Sequence, residues 1–314
     1  MAGGAIPLAG KTGSETTRGY AYALVGAVSS GSVTALSKIL LEKNGPIPVT
    51  GLAFLFSGMM ILFYQPRTKP ARGSVPYLLF MGLVGAAISP LMYTFGLDQT
   101  TAVNAALLAN GEVLFTTIIA FSVFGERLAK GQVVRGLLIV AGLVVVSTDL
   151  DLAHVSFLQG IVGNILVLAS MVGWSVENNV MVIATRRFEV SVLSKFRNLI
   201  GGLAVVVVVV LGGYSFDFAP YDVLVLVLLA LALTGGTVLF IAAIKRLGAI
   251  KMLLVWSTST VFGAFFAVLL LGEQITAGQL TGGALILLGV YLFRRSEVKP
   301  EEGSPSRTGG SLQG

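Results

Sequence analysis

Long apolar runs, separated by short polar or Pro/Gly-containing segments, dominate the chain. Most of these runs approach or exceed the roughly 18 to 20 residues that a helix needs to cross a membrane. Their length and punctuation predict about ten membrane-spanning helices. The predicted helices cover approximately residues 19–41, 49–64, 75–97, 102–124, 132–148, 158–184, 192–212, 221–244, 251–271 and 279–293. The pair Ser89-Pro90 is expected to break or kink the third of them.

The charged residues between the predicted helices are distributed unevenly. If the N-terminus lies in the cytosol and the helices alternate, nearly all Lys and Arg residues fall in cytosolic segments. The outer segments are acidic instead, with Asp98, Asp149 and Glu273, and Lys43 is their basic residue. This asymmetry follows the positive-inside rule of membrane proteins. It predicts that both termini are cytosolic.

The segment at residues 102–142 recurs at residues 249–289. Identical pairs in the ungapped alignment include Phe115/Phe262, Gly125/Gly272, Glu126/Glu273, Gln132/Gln279, Gly136/Gly283 and Gly142/Gly289. An odd number of predicted helices separates the two copies, so their orientations in the membrane are opposite. The sequence therefore predicts two inverted five-helix repeats, at 19–150 and 151–295. Inverted repeats are a signature of secondary transporters.

The composition narrows the class of protein. The chain is 55% hydrophobic and 11% charged, whereas an average soluble domain is about 25% charged. Its net charge of +6 does not indicate a nucleic-acid partner, because the basic residues lie in short loops. With no cysteine and one histidine, we expect no catalytic centre, metal or cofactor. Residues 1–18 and 296–314 are predicted to be disordered cytosolic ends.

Glu112 lies near the middle of the fourth predicted helix. A charged side chain at the bilayer centre costs at least about 2.5 kcal/mol on insertion scales. One interpretation is a proton carrier or a ligand for a cationic group of a substrate. The other is a buried, hydrogen-bonded residue that ties helices together. Its counterpart in the second repeat is Ser259.

Two further charged residues lie within predicted helices, and each has two interpretations. Lys38, near the outer end of the first helix, either extends to the lipid headgroups or faces a cavity. Glu177, in the sixth helix, either binds a substrate or forms a salt bridge with Arg186 or Arg197 near the membrane interface.

Polar and aromatic residues elsewhere in the predicted helices are the remaining candidates for a substrate site. Trp174 and Asn178 share one helical face, and Trp256 lies deep in the ninth helix, where tryptophan lines a cavity or packs in the core. Hydroxyl groups near Trp256 either face a cavity or bond to their own helix. The full set of additional candidates is Trp174, Asn178, Trp256, Ser257, Ser259, Tyr93 and Asn110.

Several of these segments resemble the drug/metabolite transporters of the EamA type. The sequences GERL at 125–128 and GEQI at 272–275 match the Gly-Glu turn that follows the fourth helix of each half in that family. The sequence EVLFT at 112–116 is similar to the family pattern EPVFT, with Val113 in place of the proline, whereas STVFG at 259–263 lacks both glutamate and proline. The resemblance implies ten helices in two inverted halves. We expect Glu126 and Glu273 to be structural or gating residues of the turns.

The resemblance and the repeats together predict a transporter that works by alternating access. It would export small metabolites, amino acids or amphipathic drugs across the cell membrane, with proton coupling through Glu112 as one hypothesis. No nucleotide-binding GxxxxGK[ST] sequence is present, so ATP is not expected to drive it. The alternatives are an exchanger of organic anions or sugar phosphates, and a membrane-embedded enzyme or receptor. Phosphorylated substrates are disfavoured, because Lys38 is the only predicted basic residue near the cavity. A monomer or weak dimer in contact with lipid is expected.

Overall fold

The computed structural model describes residues 13–63, 73, 75–124, 130–149, 156–215 and 217–294. Within these ranges the chain is almost entirely helical and contains no β-strand, which confirms the predicted all-α fold class. The elements are α1 (Gly13–Leu41), α2 (Pro46–Leu62), α3 (Val75–Phe80), a π-helical segment (Met81–Ile88), α4 (Ser89–Asp98), α5 (Ala102–Leu108), α6 (Gly111–Phe124), α7 (Lys130–Thr148), α8 (Ser156–Arg187), α9 (Val190–Leu211), α10 (Pro220–Leu247), α11 (Ala249–Trp256), α12 (Ser259–Leu271) and α13 (Ala277–Arg294).

Seven helical segments are long and apolar enough to cross a membrane. They are Ser14–Leu41, Val75–Asp98, Ala102–Val123, Gly160–Arg187, Val190–Leu211, Pro220–Leu247 and Ala249–Leu271. Three shorter apolar helices are Pro46–Leu62, Arg135–Thr148 and Ala277–Leu292. Many large apolar side chains point outward, and Phe63 and Leu211 are 92% and 82% exposed. Such a surface suits contact with lipid rather than with water.

Helices from the first half of the chain pack against helices from the second half. α1 lies against α10 and α12, α2 against α9, α4 against α8, and α7 against α13. A Cβ added at Gly142 of α7 would lie 2.6 Å from the carbonyl oxygen of Gly282 in α13. Glycines at such crossings allow helix backbones to approach closely, which is common in membrane bundles. The central space is therefore enclosed by both halves.

The N-terminal helix starts earlier than the sequence suggested. α1 begins at Gly13, so the disorder predicted for residues 13–18 is wrong. Glu15 lies within ion-pair distance of Arg18, at 3.7 Å, and of Arg246 at the end of α10, at 3.1 Å. The contact with Arg246 links the first turn of α1 to α10. The disorder predicted for residues 1–12 and 296–314 concerns residues outside the described ranges.

Candidate functional site

Two of the predicted spans are interrupted near their middle. The first interruption separates α5 from α6 at residues 109–110, and the second separates α11 from α12 at residues 257–258. In the ungapped alignment of the two copies, residues 109–110 correspond to 256–257, so the two interruptions lie within one residue of equivalent positions. Discontinuous helices at corresponding positions of two halves are typical of substrate and ion sites in secondary transporters.

Small polar side chains, rather than proline, accompany both interruptions. At the first break the Glu112 amide donates to the Ala109 carbonyl at 3.1 Å, and similar i→i−3 bonds occur at the second break. Such 3₁₀ turns are tighter than α-helix and are common at functional positions. The side chains of Asn110 and Ser257 donate to carbonyls three residues earlier, which competes with the helical ladder. The breaks therefore persist although Val113 occupies the position of the family's proline.

A cavity of about 180 Å³ lies between the two interruptions and helices α1, α2, α4, α8 and α10. Nine of the ten cavity candidates from the sequence line it. These nine are Tyr93, Asn110, Glu112, Trp174, Glu177, Asn178, Trp256, Ser257 and Ser259. Candidates from four predicted spans thus converge on one space, and Lys38 is the candidate that does not reach it.

Glu112 lies in the first turn of α6, on the cavity wall. Asn178 of α8 donates its Nδ2 to Glu112 Oε1 at 2.5 Å, and Ser175 donates its hydroxyl to the Glu112 carbonyl at 3.1 Å. The other carboxylate oxygen, Oε2, has no hydrogen-bond partner among the described residues. The start of a helix favours negative charge, because its free amides and dipole point toward that end. The carboxylate is therefore held on one side and left open on the other.

Glu177 and Arg197 form an ion pair in the cavity wall. The Arg197 Nε donates to Glu177 Oε1 at 2.6 Å, and an Arg197 terminal nitrogen donates to Oε2 at 2.9 Å. This confirms one of the two salt bridges considered for Glu177. The expectation that no basic residue other than Lys38 lies near the cavity is wrong, because Arg197 lines it. The sequence placed Arg197 with the cytosolic charges, since it precedes a long apolar run.

The π-helical segment brings a backbone carbonyl into this pair. Pro90 has no N–H to give to the Gly85 carbonyl, five residues earlier, so that oxygen is free for side chains. It accepts from Arg197 at 2.8 Å and from the Trp174 indole at 2.9 Å. A Cβ added at Gly85 would overlap the Glu177 carboxylate. The irregular backbone before Pro90 thus provides the carbonyl that holds Arg197 and Trp174 in the cavity wall.

Aromatic rings form much of the remaining wall. The Tyr93 and Trp174 ring centres are 5.5 Å apart, and those of Phe240 and Trp256 are 4.7 Å apart at a steep angle. The Tyr93 hydroxyl is hydrogen-bonded to Thr34 at 2.7 Å. Such a wall can hold an apolar body and can attract a cation to the ring faces. In the ranges that the structure describes, no cluster of Asp, Glu or His side chains could hold a metal ion.

Lys38 has a role that neither sequence interpretation gave it. Its ammonium donates to the carbonyls of Leu97, Asp98 and Thr100 at 2.7, 3.3 and 2.8 Å. It therefore caps the turn between α4 and α5 and does not line the cavity. The sequence could not show this, because the partners are backbone atoms about 60 residues away.

Glu273 lies in the turn after α12 and binds the start of α5. Its carboxylate accepts from the amides of Ala102 and Val103 at 2.7 and 2.9 Å. The hydroxyl of Thr101, the N-cap residue, accepts from the next amide, that of Asn104, at 3.1 Å. The first free amides of α5 are thus satisfied by side chains, as helix starts require. The corresponding Glu126 lies outside the described residues.

Known proteins resemble this chain along most of its length. An uncharacterized transporter of Methanothermobacter thermautotrophicus is 25% identical over 294 residues, which cover 88% of this chain and 85% of that protein. A probable amino-acid metabolite efflux pump of Escherichia coli is 26% identical over 279 residues, which cover 81% and 87%. A crystal structure with 19% sequence identity matches with a TM-score of 0.68 over 90% of this chain and 99% of that chain, which shows a shared fold.

The relatives are bacterial and archaeal transporters rather than enzymes, and with the apolar helices they place the protein in the cell membrane. The model of one family matches the sequence twice in succession, over residues 17–148 and 161–295. Because these two matches cover nearly the whole sequence, the chain belongs to the EamA-like transporter family.

Proposed function

We propose that the protein exports small metabolites by alternating access, with the substrate held in the cavity between the two interrupted helices. The observation that carries this proposal is a carboxylate, Glu112, placed at one helix interruption and open to the cavity on one side. Groups at helix breaks near the middle of a membrane are suited to bind a substrate or coupling ion that must leave on either side.

The proposal includes ten membrane crossings in two inverted halves, with both termini in the cytosol. Seven long and three shorter apolar helices provide enough segments for ten crossings. The two successive family matches support a division near residue 150. The concentration of Lys and Arg on one side of the predicted spans supports the orientation. One such chain already encloses the cavity, so a single subunit suffices for transport.

The substrate class follows from the wall of the cavity and from the relatives. Two proteins similar to this chain, from Escherichia coli and Salmonella typhimurium, are described as probable amino-acid metabolite efflux pumps. The aromatic wall around Trp174 and Trp256 suits substrates with an apolar body. We therefore propose small amphipathic metabolites, which include amino acids and amines, as substrates.

Exchange of organic anions is the second candidate function, and the presence of Arg197 in the cavity wall favours it. Arginine binds carboxylates and phosphates with two parallel hydrogen bonds. Here that geometry is already taken by Glu177. Export of neutral, zwitterionic or cationic compounds is therefore the better supported proposal.

The first experiment uses purified protein in sealed liposomes that contain a pH-sensitive dye. A panel of amino acids, amphipathic amines and organic anions is added, and substrate movement and proton flux are recorded for the wild type, Glu112→Gln and Glu42→Gln. Glu42 is an exposed carboxylate in the turn after α1 and serves as the control. We expect substrate-driven proton flux with the wild type and with Glu42→Gln, and no flux above that of protein-free liposomes with Glu112→Gln.

Other outcomes would change the proposal in defined ways. Equal substrate movement without protons in all three proteins would show that Glu112 is structural and that transport is facilitated. Movement of organic anions alone would favour the exchanger. If none of the compounds moved, export of this substrate class would be contradicted.

A further inference from the structure

The charges in the cavity wall do not cancel completely. Among the described residues that line the cavity, the charged side chains are Glu112, Glu177 and Arg197. Glu177 and Arg197 neutralise each other through two hydrogen bonds. Glu112 has a neutral partner, Asn178, on one oxygen. The cavity therefore presents one carboxylate that has no opposite charge.

Arg197 is not available to a second carboxylate. Its guanidinium makes four hydrogen bonds, two to Glu177, one to the Gly85 carbonyl and one to Asn198 Oδ1 at 3.1 Å. Glu177 is only 2% exposed, so it would be left as a buried, unpaired charge if Arg197 turned toward a ligand. Separating a buried ion pair in this way is strongly unfavourable.

Acceptor atoms without donors lie at the interruption that carries Glu112. Asn110 is 1% exposed and lines the cavity, and its buried Oδ1 has no hydrogen-bond partner. Glu112 Oε2 also lacks a partner within the described part of the chain, and so does the Ser259 hydroxyl at the other interruption. An ammonium group carries three N–H donors, and a buried acceptor without a donor destabilises a protein. A ligand ammonium would supply what this interruption lacks.

From this arrangement we infer that the cavity selects primary amines that carry no carboxylate, and that Glu112 and Asn110 bind the ammonium group. The inference rests on the proposed transport function and specifies its substrate class. The apolar part of the amine lies against Trp174, Trp256 and Phe240, whose rings also attract a cation. An amino acid with the same side chain fits less well, because its carboxylate finds no free cation.

Phenethylamine and phenylalanine test this inference directly, since they differ only in the carboxylate. The chain contains two tryptophans, Trp174 and Trp256, and both line the cavity, so their fluorescence reports occupancy. The intact protein in detergent is titrated with each compound. We expect phenethylamine to bind at least about tenfold more tightly than phenylalanine, because an unpaired charged group is costly in such a site. Equal binding, tighter binding of phenylalanine, or no binding of phenethylamine would overturn the inference.

Flux measurements separate this inference from the proposed function. Radiolabelled phenethylamine and phenylalanine are compared in proteoliposomes against protein-free liposomes. Movement of phenylalanine with equal or greater efficiency would overturn the amine preference and leave the transport proposal standing. Amine binding without flux of either compound would support the cavity assignment and contradict export.

Two variants assign the selectivity to named residues. Asn110→Ala should weaken phenethylamine binding about tenfold, whereas Ser147→Ala, at a buried hydroxyl outside the cavity, should leave it unchanged. Glu177→Gln should release Arg197 and raise the affinity for phenylalanine relative to phenethylamine. Unchanged amine binding in Asn110→Ala would overturn the assignment of Asn110. The wild-type affinity ratio decides the preference even if Glu177→Gln does not fold.

Discussion

The interruption between α5 and α6 and the one between α11 and α12 have similar backbones and different side chains. Both replace part of an α-helix by 3₁₀ turns near the middle of a span, and both line the cavity. In the repeat alignment, Glu112 corresponds to Ser259 and Asn110 corresponds to Ser257. The first interruption thus offers a carboxylate and an amide, and the second offers hydroxyl groups. The cavity has one charged side and one neutral side.

The helices that lead into the two interruptions also begin differently. α5 starts with amides bound by Glu273 and Thr101. α11 starts after Gly248, whose φ of 80° lies in the region that favours glycine, and no side chain within the described residues caps it. The two interrupted helices therefore have similar backbones although different groups stabilise their starts. The difference gives the cavity a direction, and an asymmetric substrate needs such a direction.

Exchanging the two central side chains is the strongest test of this comparison. In Glu112→Ser/Ser259→Glu the carboxylate stays in the cavity but loses Asn178, which remains opposite the first interruption. We expect phenethylamine to bind at least about tenfold more weakly than to the wild type, since hydrogen bonds to charged groups contribute substantially. Tryptophan fluorescence titration measures the effect. Binding at the wild-type level would mean that the two sides are interchangeable.

The next effect concerns stability, at the place where the two interrupted helices touch. A Cβ added at Gly263 of α12 would lie 2.7 Å from the Ala106 side chain of α5. Gly263→Ala should therefore lower the free energy of unfolding by about 1–3 kcal/mol through overpacking. Thermal unfolding in detergent measures it, with Gly136→Ala as the control, because the nearest atom to its added Cβ is at 3.4 Å. An equally stable Gly263→Ala protein would show that α5 and α12 can separate freely.

The smallest effect concerns the cap that distinguishes α5 from α11. Glu273→Gln removes a charge that faces the first amides of α5, and it should destabilise the protein by about 1 kcal/mol. The exposed carboxylate in Glu42→Gln is the matched control for thermal unfolding. If both variants unfolded at the same temperature as the wild type, the Glu273 cap would not contribute to stability.

Local sequence was a good guide to the helices and to part of the cavity. Apolar runs predicted all of the main helical segments. Polar residues within those runs, such as Asn178 and Ser257, were predicted to be candidates for the substrate site, and they line the cavity. A polar group inside a predicted membrane helix indicates a cavity or a buried partner, because contact with lipid is unfavourable for it. This inference needs no knowledge of the neighbouring helices.

Charged residues near helix ends were a poor guide. One interpretation placed Lys38 in the cavity, and it binds carbonyls of the α4–α5 turn instead. Arg197 was assigned to the cytosolic side, and it lies in the cavity wall. Long basic side chains can reach in several directions, so the neighbouring helices decide where the charge lies.

The sequence by itself determined that the chain is helical, that it belongs in a membrane and that a carboxylate occupies the middle of one span, since these properties depend on local hydrophobicity. Only the tertiary structure decided that Arg197 neutralises Glu177 and that Glu112 keeps one oxygen open. Glu177 and Arg197 are 20 positions apart in the sequence, and Glu112 and its partner Asn178 are 66 positions apart. Electrostatic energies depend on distance and burial, and both are set by the packing of separate helices.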